Sequence, residues 1–498
     1  MRLDALLAGL APATAGGAGV EIEGVAHDSR AVRPGDLFFA LAGGRTDGRR
    51  HVAEARARGA RAVVASGPLD AGGLPVVCVA DPRRVLGLVA ARLAGDPSAR
   101  LTLVGVTGTN GKTTTTYLLE GIWRAAGHTT GVIGTISYRV GAESRPAPYT
   151  TPEAPELQRL LAEMRAAGAS HVAMEVSSHA LVQERVRGCR FDAAVFTNLT
   201  RDHLDFHPDM EAYWAAKARL FLDHLPAGGK PDPVAVVHVD DPAGARLARA
   251  VRTRCVPVGR APDAVVRAVD VETSLAGTRG TLVLDGRRLP FVSPLVGAPH
   301  AENVAVAAAA AWALGVAPEA IAAGLAAAAP PPGRVERIAG PGFTVVIDYA
   351  HTPDALARLL DALRPLAAGA LIVVFGCGGD RDRGKRPLMG EAAARRADLV
   401  VLTSDNPRTE DPARILAEIE AGVRATGFPP LAAPRAGERG YVVEVDRRAA
   451  IALAVDLARP GDLVVVAGKG HEDYQIVGTE KHHLDDCEEV RRVLAGRK

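Results

Sequence analysis

Residues 104–117 read VGVTGTNGKTTTTY. The apolar run at 101–106 contains β-branched residues and predicts a buried strand. From Thr113 to Gly127 the apolar positions Leu118, Leu119 and Ile122 keep helical spacing, and Gly127 closes the helix. Between the two, Gly108 and Gly111 let the backbone turn tightly with its N–H groups facing inward. Lys112 adds a cation and Thr113 a hydroxyl able to ligate magnesium, all at a helix N-terminus. The pattern G-x-x-x-x-G-K-[ST] misses by one place, since its first glycine falls on Val106 while Gly105 precedes it. The stretch predicts a P-loop of a particular subfamily. Its expected ATP contacts are Thr107, Gly108, Thr109, Asn110, Gly111, Lys112 and Thr113.

The chain around this loop has 498 residues, 48% hydrophobic and 23% charged, with net charge +2. That length predicts two to four domains. The charge balance gives no reason to expect nucleic acid or an anionic membrane as partner. Cys78, Cys189, Cys255, Cys377 and Cys487 form no C-x-x-C pair. No signal-peptide pattern is present at the N-terminus, so a reduced, cytoplasmic enzyme is expected. The most apolar segment, 304–317, is mostly alanine and too short to span a bilayer.

Three blocks follow from composition. Residues 1–98 form a small α/β block, with strands at DLFFAL and RAVVAS around the helical HVAEARARGA. GDPSAR (95–100) is a linker. In 99–333, strands at TGVIGTI, HVAMEV, AAVFTN and VAVVHVD alternate with helix-length segments, which implies βαβ units and a mainly parallel sheet. Pro330, Pro331 and Pro332 make a stiff connector. Residues 334–498 repeat the alternation at TVVIDYA, LIVVFGCGG, DLVVLTSD, YVVEVD and DLVVVAGKG. Ligands in such sheets bind at the carboxyl ends of the strands.

A P-loop does not decide the reaction. Glu175 ends the strand in HVAMEVSSHALVQERV, where a carboxylate is costly without a partner. FTNLTRDHLDFH places Asn198, Asp202 and His203 beyond the next strand end, and AYWAAKARLF sets Lys217 on a helix among aromatic residues. Singly these fit a satisfied buried acid, a loop histidine and a snorkelling lysine. Together with the P-loop they describe a site for more than one magnesium ion.

With TGTNGKTT, MEVSSH, TNLTRDHLDFH, AKARLF, HAENVAVAAAA, PPGRVE and DYAHTPDAL in this order, the whole chain resembles the Mur ligase family, ATP-dependent amino-acid ligases of cell-wall synthesis. The resemblance implies an α/β fold of three domains: a small N-terminal domain, a central P-loop ATPase-type domain with a mainly parallel sheet, and a Rossmann-like C-terminal domain. It implies that Lys217 is carbamylated by carbon dioxide (an N6-carboxylysine). Thr113, Glu175, His203 and that carbamate would hold two magnesium ions, with Lys112, Glu175, His203 and Lys217 as the catalytic set. Carbamylation needs a neutral amine, which desolvation favours. By the same resemblance Asn303 faces adenine, Arg334 reaches the phosphates, and Asp348 lies near the ribose, with His351 in the same loop. His27, Ser29, Gly44, Arg45 and Thr46 surround a uridine diphosphate, while Thr150, Thr151, Ser177, Gln183 and Arg185 hold the rest of the sugar nucleotide.

Asp405, Asn406, Pro407 and Arg408 resemble the signature of family members that add meso-diaminopimelate. An arginine fork binds the distal carboxylate of that substrate, which lysine lacks. Arg381, Gly468 and Glu472 complete the expected amino-acid site. The implied reaction activates the D-glutamate γ-carboxylate of UDP-N-acetylmuramoyl-L-alanyl-D-glutamate as an acyl phosphate, which the amine of diaminopimelate then attacks. Those small molecules are the expected partners, without nucleic acid or membrane insertion, and the chain is expected to act as a monomer. A lysine-adding relative, a folylpolyglutamate synthase and a nucleotide switch without chemistry stand as alternatives.

Overall fold

A computed structural model describes residues 1–11, 19–43 and 46–496. The first sheet has four parallel strands in sequential order: Gly24–Ala26, Asp36–Ala40, Ala62–Ala65 and Val76–Cys78. Leu37 and Phe39 pack on one face and Phe38 and Ala40 on the other. Burial on both faces is why DLFFA reads as a continuous apolar run rather than an alternation.

The central sheet has eleven strands. Six lie parallel in the order Arg254–Val258, Val234–His238, Ala193–Phe196, Thr102–Thr107, His171–Glu175 and Thr130–Ile133. The P-loop strand Thr102–Thr107 therefore has the Glu175 strand on one side and the strand leading to Asn198 on the other. At one end Ser137–Val140 and Glu143–Pro146 extend this core by antiparallel pairing; at the other a seventh strand, Val266–Ser274, joins Arg254–Val258 in parallel, and Gly277–Leu284 and Arg287–Ser293 follow antiparallel. The sequence reading, built on strand–helix alternation, did not anticipate these edge strands. Many of their residues are solvent-exposed, including all of Glu143–Pro146, and they carry no continuous apolar run.

The P-loop helix Lys112–Ala125 packs its Leu118, Leu119, Ile122 and Trp123 against the alanine-rich helix Ala298–Ala313. Small side chains let the two helices approach closely, which brings the first turn of Ala298–Ala313 up to the P-loop. Among the described residues no helix is long and apolar enough to cross a membrane.

The third sheet orders Glu336–Ala339, Thr344–Asp348, Leu463–Ala467, Leu371–Phe375, Leu399–Leu402 and Gly440–Val443; only the first is antiparallel to its neighbour. Asp348 and Gly468 thus emerge at or just past the carboxyl ends of two adjacent parallel strands, and Asp405 just past that of Leu399–Leu402, with Leu371–Phe375 between. A small ribbon, Tyr474–Val477 with Glu480–His483, follows the Gly468 turn.

Candidate active site

The P-loop is held by the strand end beside it. Asn198 takes the backbone N–H of Thr109 on its carbonyl and that of Asn110 on its side chain, both at 2.9 Å. Thr197 Oγ1 donates to the Asn110 carbonyl at 2.6 Å. The amides of Thr109 and Asn110 are thereby engaged, which leaves the helix-start amides, lacking intrahelical acceptors, to face an anion. Gly108 has φ 151°, and a Cβ there would stand 1.8 Å from Thr197 Oγ1. Gly111 has φ 88°, and a Cβ there would meet Asn303 Oδ1 at 2.3 Å. Both positions require glycine on steric grounds. Lys112 Nζ folds back onto the Gly108 and Thr109 carbonyls, each at 2.9 Å, and burial lowers its pKa.

Glu175 is 1% exposed. Its Oε1 accepts from Thr113 Oγ1 and from the Thr135 amide at 2.9 Å each, and its Oε2 accepts from Thr135 Oγ1 at 3.1 Å. Thr135, which sequence reasoning missed, also lies 3.0 Å from Thr150 Oγ1. Only the pairing of its strand with the Glu175 strand reveals it.

Lys217 is buried on the helix Met210–Arg219, its Nζ donating to the Gly108 carbonyl at 2.8 Å and lying 4.5 Å from the Tyr213 ring centre. Burial first, then the nearby charge of Lys112, pushes its pKa well below the ordinary lysine value. A π-helical turn, Leu220–His224, follows directly, a feature found often at functional sites. His203 sits in the left-handed region (φ 55°) with Nε2 3.4 Å from Asp202, and burial pushes its pKa down to about 3. Among the described residues, no three His, Cys, Asp or Glu side chains stand together as a metal site. The donors that suit magnesium are the Thr113 hydroxyl and the Glu175 carboxylate, already 2.9 Å apart, with the Thr107 hydroxyl buried and without a hydrogen-bond partner. Such an oxygen-rich set beside an anion-binding loop fits a magnesium ion that takes its remaining ligands from phosphate and water.

A cleft opens between the central and third sheets, lined by Asn110, Gly111, Thr114, His300, Asn303, Arg334, Asp348, Tyr349 and the apolar Leu359 and Leu363. Asp348 accepts from the Val335 and Ala350 amides at 2.9 and 2.8 Å. Arg334 lies over the Tyr349 ring at 4.4 Å with its Nε unpaired. Charged links cross between the two units: His351 Nε2 lies 3.8 Å from Asp202, Arg201 Nε donates to Asp382 at 3.1 Å, and Arg358 NH1 donates to Glu302 at 3.4 Å. Despite burial, which raises it, the His351 contact holds the Asp202 carboxyl well below the usual range.

On the other side of Glu175, Thr151 Oγ1 donates to the Glu175 carbonyl at 2.9 Å and accepts the Ser177 amide at 3.1 Å. Arg185 donates to the Thr151 carbonyl and to Gln183 Oε1, each at 2.9 Å, and lies over the Tyr149 ring. Thr150, Thr151, Ser177, Gln183 and Arg185 thus form one surface continuous with the P-loop site. In the first sheet's unit, Ser29 Oγ donates to Glu54 at 2.7 Å, and Thr46 Oγ1 lies 3.0 Å from His51 Nε2. His27 is half-buried; Gly44 and Arg45 lie outside the described residues.

The third sheet gathers the remaining residues. Asn406 Nδ2 donates to Glu472 at 2.9 Å while its Oδ1 accepts the Ile476 amide at 2.9 Å. Pro407 is buried; Arg408, at φ 52°, donates to the Gly379 carbonyl at 2.8 Å. Arg381 is exposed in the same loop, its NH1 donating to the Asp380 carbonyl. Gly468 backs onto the Asp405 carboxylate. Lys469, 0% exposed, reaches Glu472 at 3.4 Å and donates to the Tyr474 carbonyl. Burial raises the Asp405 pKa, but the charges of Lys469 and Arg447 outweigh it and hold the carboxyl below its ordinary value.

Residues 106–311 match the family model of the Mur ligase middle domain, 333–470 that of the Mur ligase glutamate ligase domain, and 21–92 that of the Mur ligase family catalytic domain. Over 498 residues the chain is 50% identical to the UDP-N-acetylmuramoyl-L-alanyl-D-glutamate–2,6-diaminopimelate ligase of Geobacter metallireducens, covering 98% of each. The solved structure of a ligase of that name superimposes with TM-score 0.71 at 34% identity, over 100% of this chain and 99% of the other. A Mycobacterium tuberculosis folylpolyglutamate synthase complexed with ADP gives TM-score 0.64 at 21% identity, over 84% and 95% of the two chains, a likeness of fold alone.

Proposed function

The chain belongs to the Mur ligase family, and from that premise we propose that it joins meso-2,6-diaminopimelate to the D-glutamate γ-carboxyl of UDP-N-acetylmuramoyl-L-alanyl-D-glutamate at the expense of ATP, in peptidoglycan precursor synthesis. The observation that carries this reading is the near-full-length match, at 50% identity, to a ligase so named. The D-N-P-R loop beside Glu472 supports the choice of amino acid.

The γ-carboxylate attacks the γ-phosphate of ATP, and the β–γ bridging bond breaks to give an acyl phosphate and ADP. The amine of diaminopimelate then attacks the acyl carbon, and phosphate leaves from the tetrahedral intermediate. Such a transfer is catalysed chiefly by positioning and by charge placed against the phosphoryl oxygens. In this reading Lys112 releases the Gly108 and Thr109 carbonyls to meet the phosphates, and Arg334 approaches them from the third sheet. Asn303 and Asp348 bracket the nucleoside in the cleft. Thr150, Thr151, Ser177, Gln183 and Arg185 hold the muramoyl peptide, with His27, Ser29, Gly44, Arg45 and Thr46 assigned to the uridine diphosphate.

Lys217 is assigned a carbamate. Its neutral amine forms an N–C bond with carbon dioxide and releases one proton, replacing an ammonium by two oxygens. Thr113, Glu175, His203 and this carbamate would hold magnesium, which supplies positive charge to the transferring phosphoryl group. For the amino acid, Arg408 and Arg381 face the distal carboxylate, Glu472 the distal ammonium, and Asp405, Asn406 and Gly468 shape the loop.

A product assay with the sugar nucleotide, ATP and a panel of amino acids tests the reading. Tripeptide formation and phosphate release should occur with meso-diaminopimelate and be poor with lysine; preference for lysine, or for glutamate on a folate, would overturn it.

A further inference from the structure

Two arginines, Arg386 and Arg447, are among the largest fully buried side chains of the described residues. Arg386 pairs with Glu410 and Glu418, which are themselves 24% and 28% exposed. Arg447 differs. It and its partner Asp486 are both 0% exposed, joined by two bonds from Nε and NH2 at 2.8 and 2.7 Å. Its remaining donors go to two main-chain carbonyls: Ala467 at 3.0 Å and Ser404 at 3.4 Å.

Those two residues stand immediately before Gly468 and Asp405, at the ends of the strands Leu463–Ala467 and Leu399–Leu402. These strands are not neighbours, because Leu371–Phe375 runs between them. One guanidinium therefore ties together two strand-end turns that the sheet's own hydrogen bonds do not join. A lysine has a single charged centre and cannot span the same four acceptors with fixed geometry. Beneath these turns Arg447 and Lys469 face Asp405, Glu472 and Asp486, so a change at Arg447 is felt by the charged groups of both turns.

We infer that Arg447, anchored by Asp486 of the C-terminal helix Asp486–Gly496, is a positioning residue for the amino-acid site, setting the spacing of the Asp405 and Gly468 turns and through them the preference for a substrate with a second amino-acid centre. The inference rests on the assignment of that site to diaminopimelate.

The test compares full-length wild type with Arg447→Lys and with the paired change Arg447→Met and Asp486→Leu, which removes both charges together and leaves neither unpaired. KM and kcat are measured for meso-diaminopimelate, lysine, ATP and the sugar nucleotide, with thermal unfolding recorded for each protein. The expected result is a rise of roughly 10- to 100-fold in KM for diaminopimelate with those for ATP and the sugar nucleotide changed by about twofold or less. The ratio of diaminopimelate to lysine use should shrink. A variant that unfolds cooperatively and keeps its KM for diaminopimelate overturns the inference, as does an equal rise for all substrates. Failure of both variants to fold would assign the pair to folding alone and also overturn it. Wild type that does not use diaminopimelate would instead remove the substrate assignment on which the inference stands.

Discussion

Lys217 and Lys469 are 1% and 0% exposed, yet their surroundings are opposite. Lys217 meets a carbonyl, an aromatic face and the neighbouring cation Lys112, and the weaker field of Asp202 does not offset them. Lys469 lies against Glu472 and within the field of Asp405. The central site is thus built short of anions, and the third-sheet site is built nearly balanced. The difference matches the ligands proposed for each. A nucleotide would bring phosphate charge and carbon dioxide would convert the lysine itself to an anion, whereas an amino acid would arrive as a zwitterion and need paired partners in place.

The largest effect should come from Lys217. Lys217→Ala is expected to lower kcat on the order of 10³-fold, with partial recovery when short carboxylic acids are added; an alanine variant with full activity breaks the comparison at its first term. Stability should move in the other direction. Removing Lys469 strands buried carboxylates, so Lys469→Met should cost about 3 kcal/mol in denaturant unfolding, while Lys217→Met, which removes a buried amine bonded to one carbonyl and to no carboxylate, should cost less than about 1 kcal/mol. Equal costs would mean that the two lysines are not in different electrostatic states. Arg408→Ala should lower kcat/KM for diaminopimelate by about 2–3 kcal/mol, roughly 30- to 150-fold, and barely change that for lysine. Parallel losses on both amino acids would remove Arg408 from selectivity. Ser29→Ala is a smaller probe of the first sheet: it should raise KM for the sugar nucleotide by roughly fivefold and leave that for ATP in place. A matching rise for ATP would count against that division.

The smallest effect concerns pH. Burial holds His179, His300 and His471 at about 4, below the ordinary value of about 6.5. The unfolded chain therefore binds protons that the folded chain refuses between those values. Stability from these groups is complete above pH about 6.5 and falls as the pH drops toward about 4. The melting temperature should fall by roughly 5 °C between pH 7 and 5. A flat profile there would show that these imidazoles are not shielded as the packing implies.

The parallel strands were legible because burial on both faces writes them as apolar runs, as in LIVVF and LVVVA. The antiparallel edges 137–146 and 266–293 were not, since strands open to solvent alternate weakly and mix with charge. The P-loop was legible because its glycines and lysine are contiguous. The partners that hold it were less so. Thr135 meets Glu175 across 40 residues and His351 meets Asp202 across 149, and no local pattern encodes such distances. The π turn at Leu220–His224 has no sequence signature, because it reflects how Leu220 and Phe221 settle into the core while Lys217 faces the loop. The engagement of the Thr109 and Asn110 amides by Asn198 is likewise a property of the folded strand ends.

The cleft walls come from two separate sheets, Gly111 and Asn303 on one side and Arg334, Asp348 and Tyr349 on the other. In mechanical terms a nucleotide seated there acts as a rivet between two plates. Force that pulls the plates apart must break its contacts to both at once, so rupture of the loaded molecule demands more force than rupture of the empty one. On the proposed reading the seam would stiffen when a nucleotide is bound and slacken when ADP departs, and its stiffness would be a gauge of where the molecule stands in its cycle.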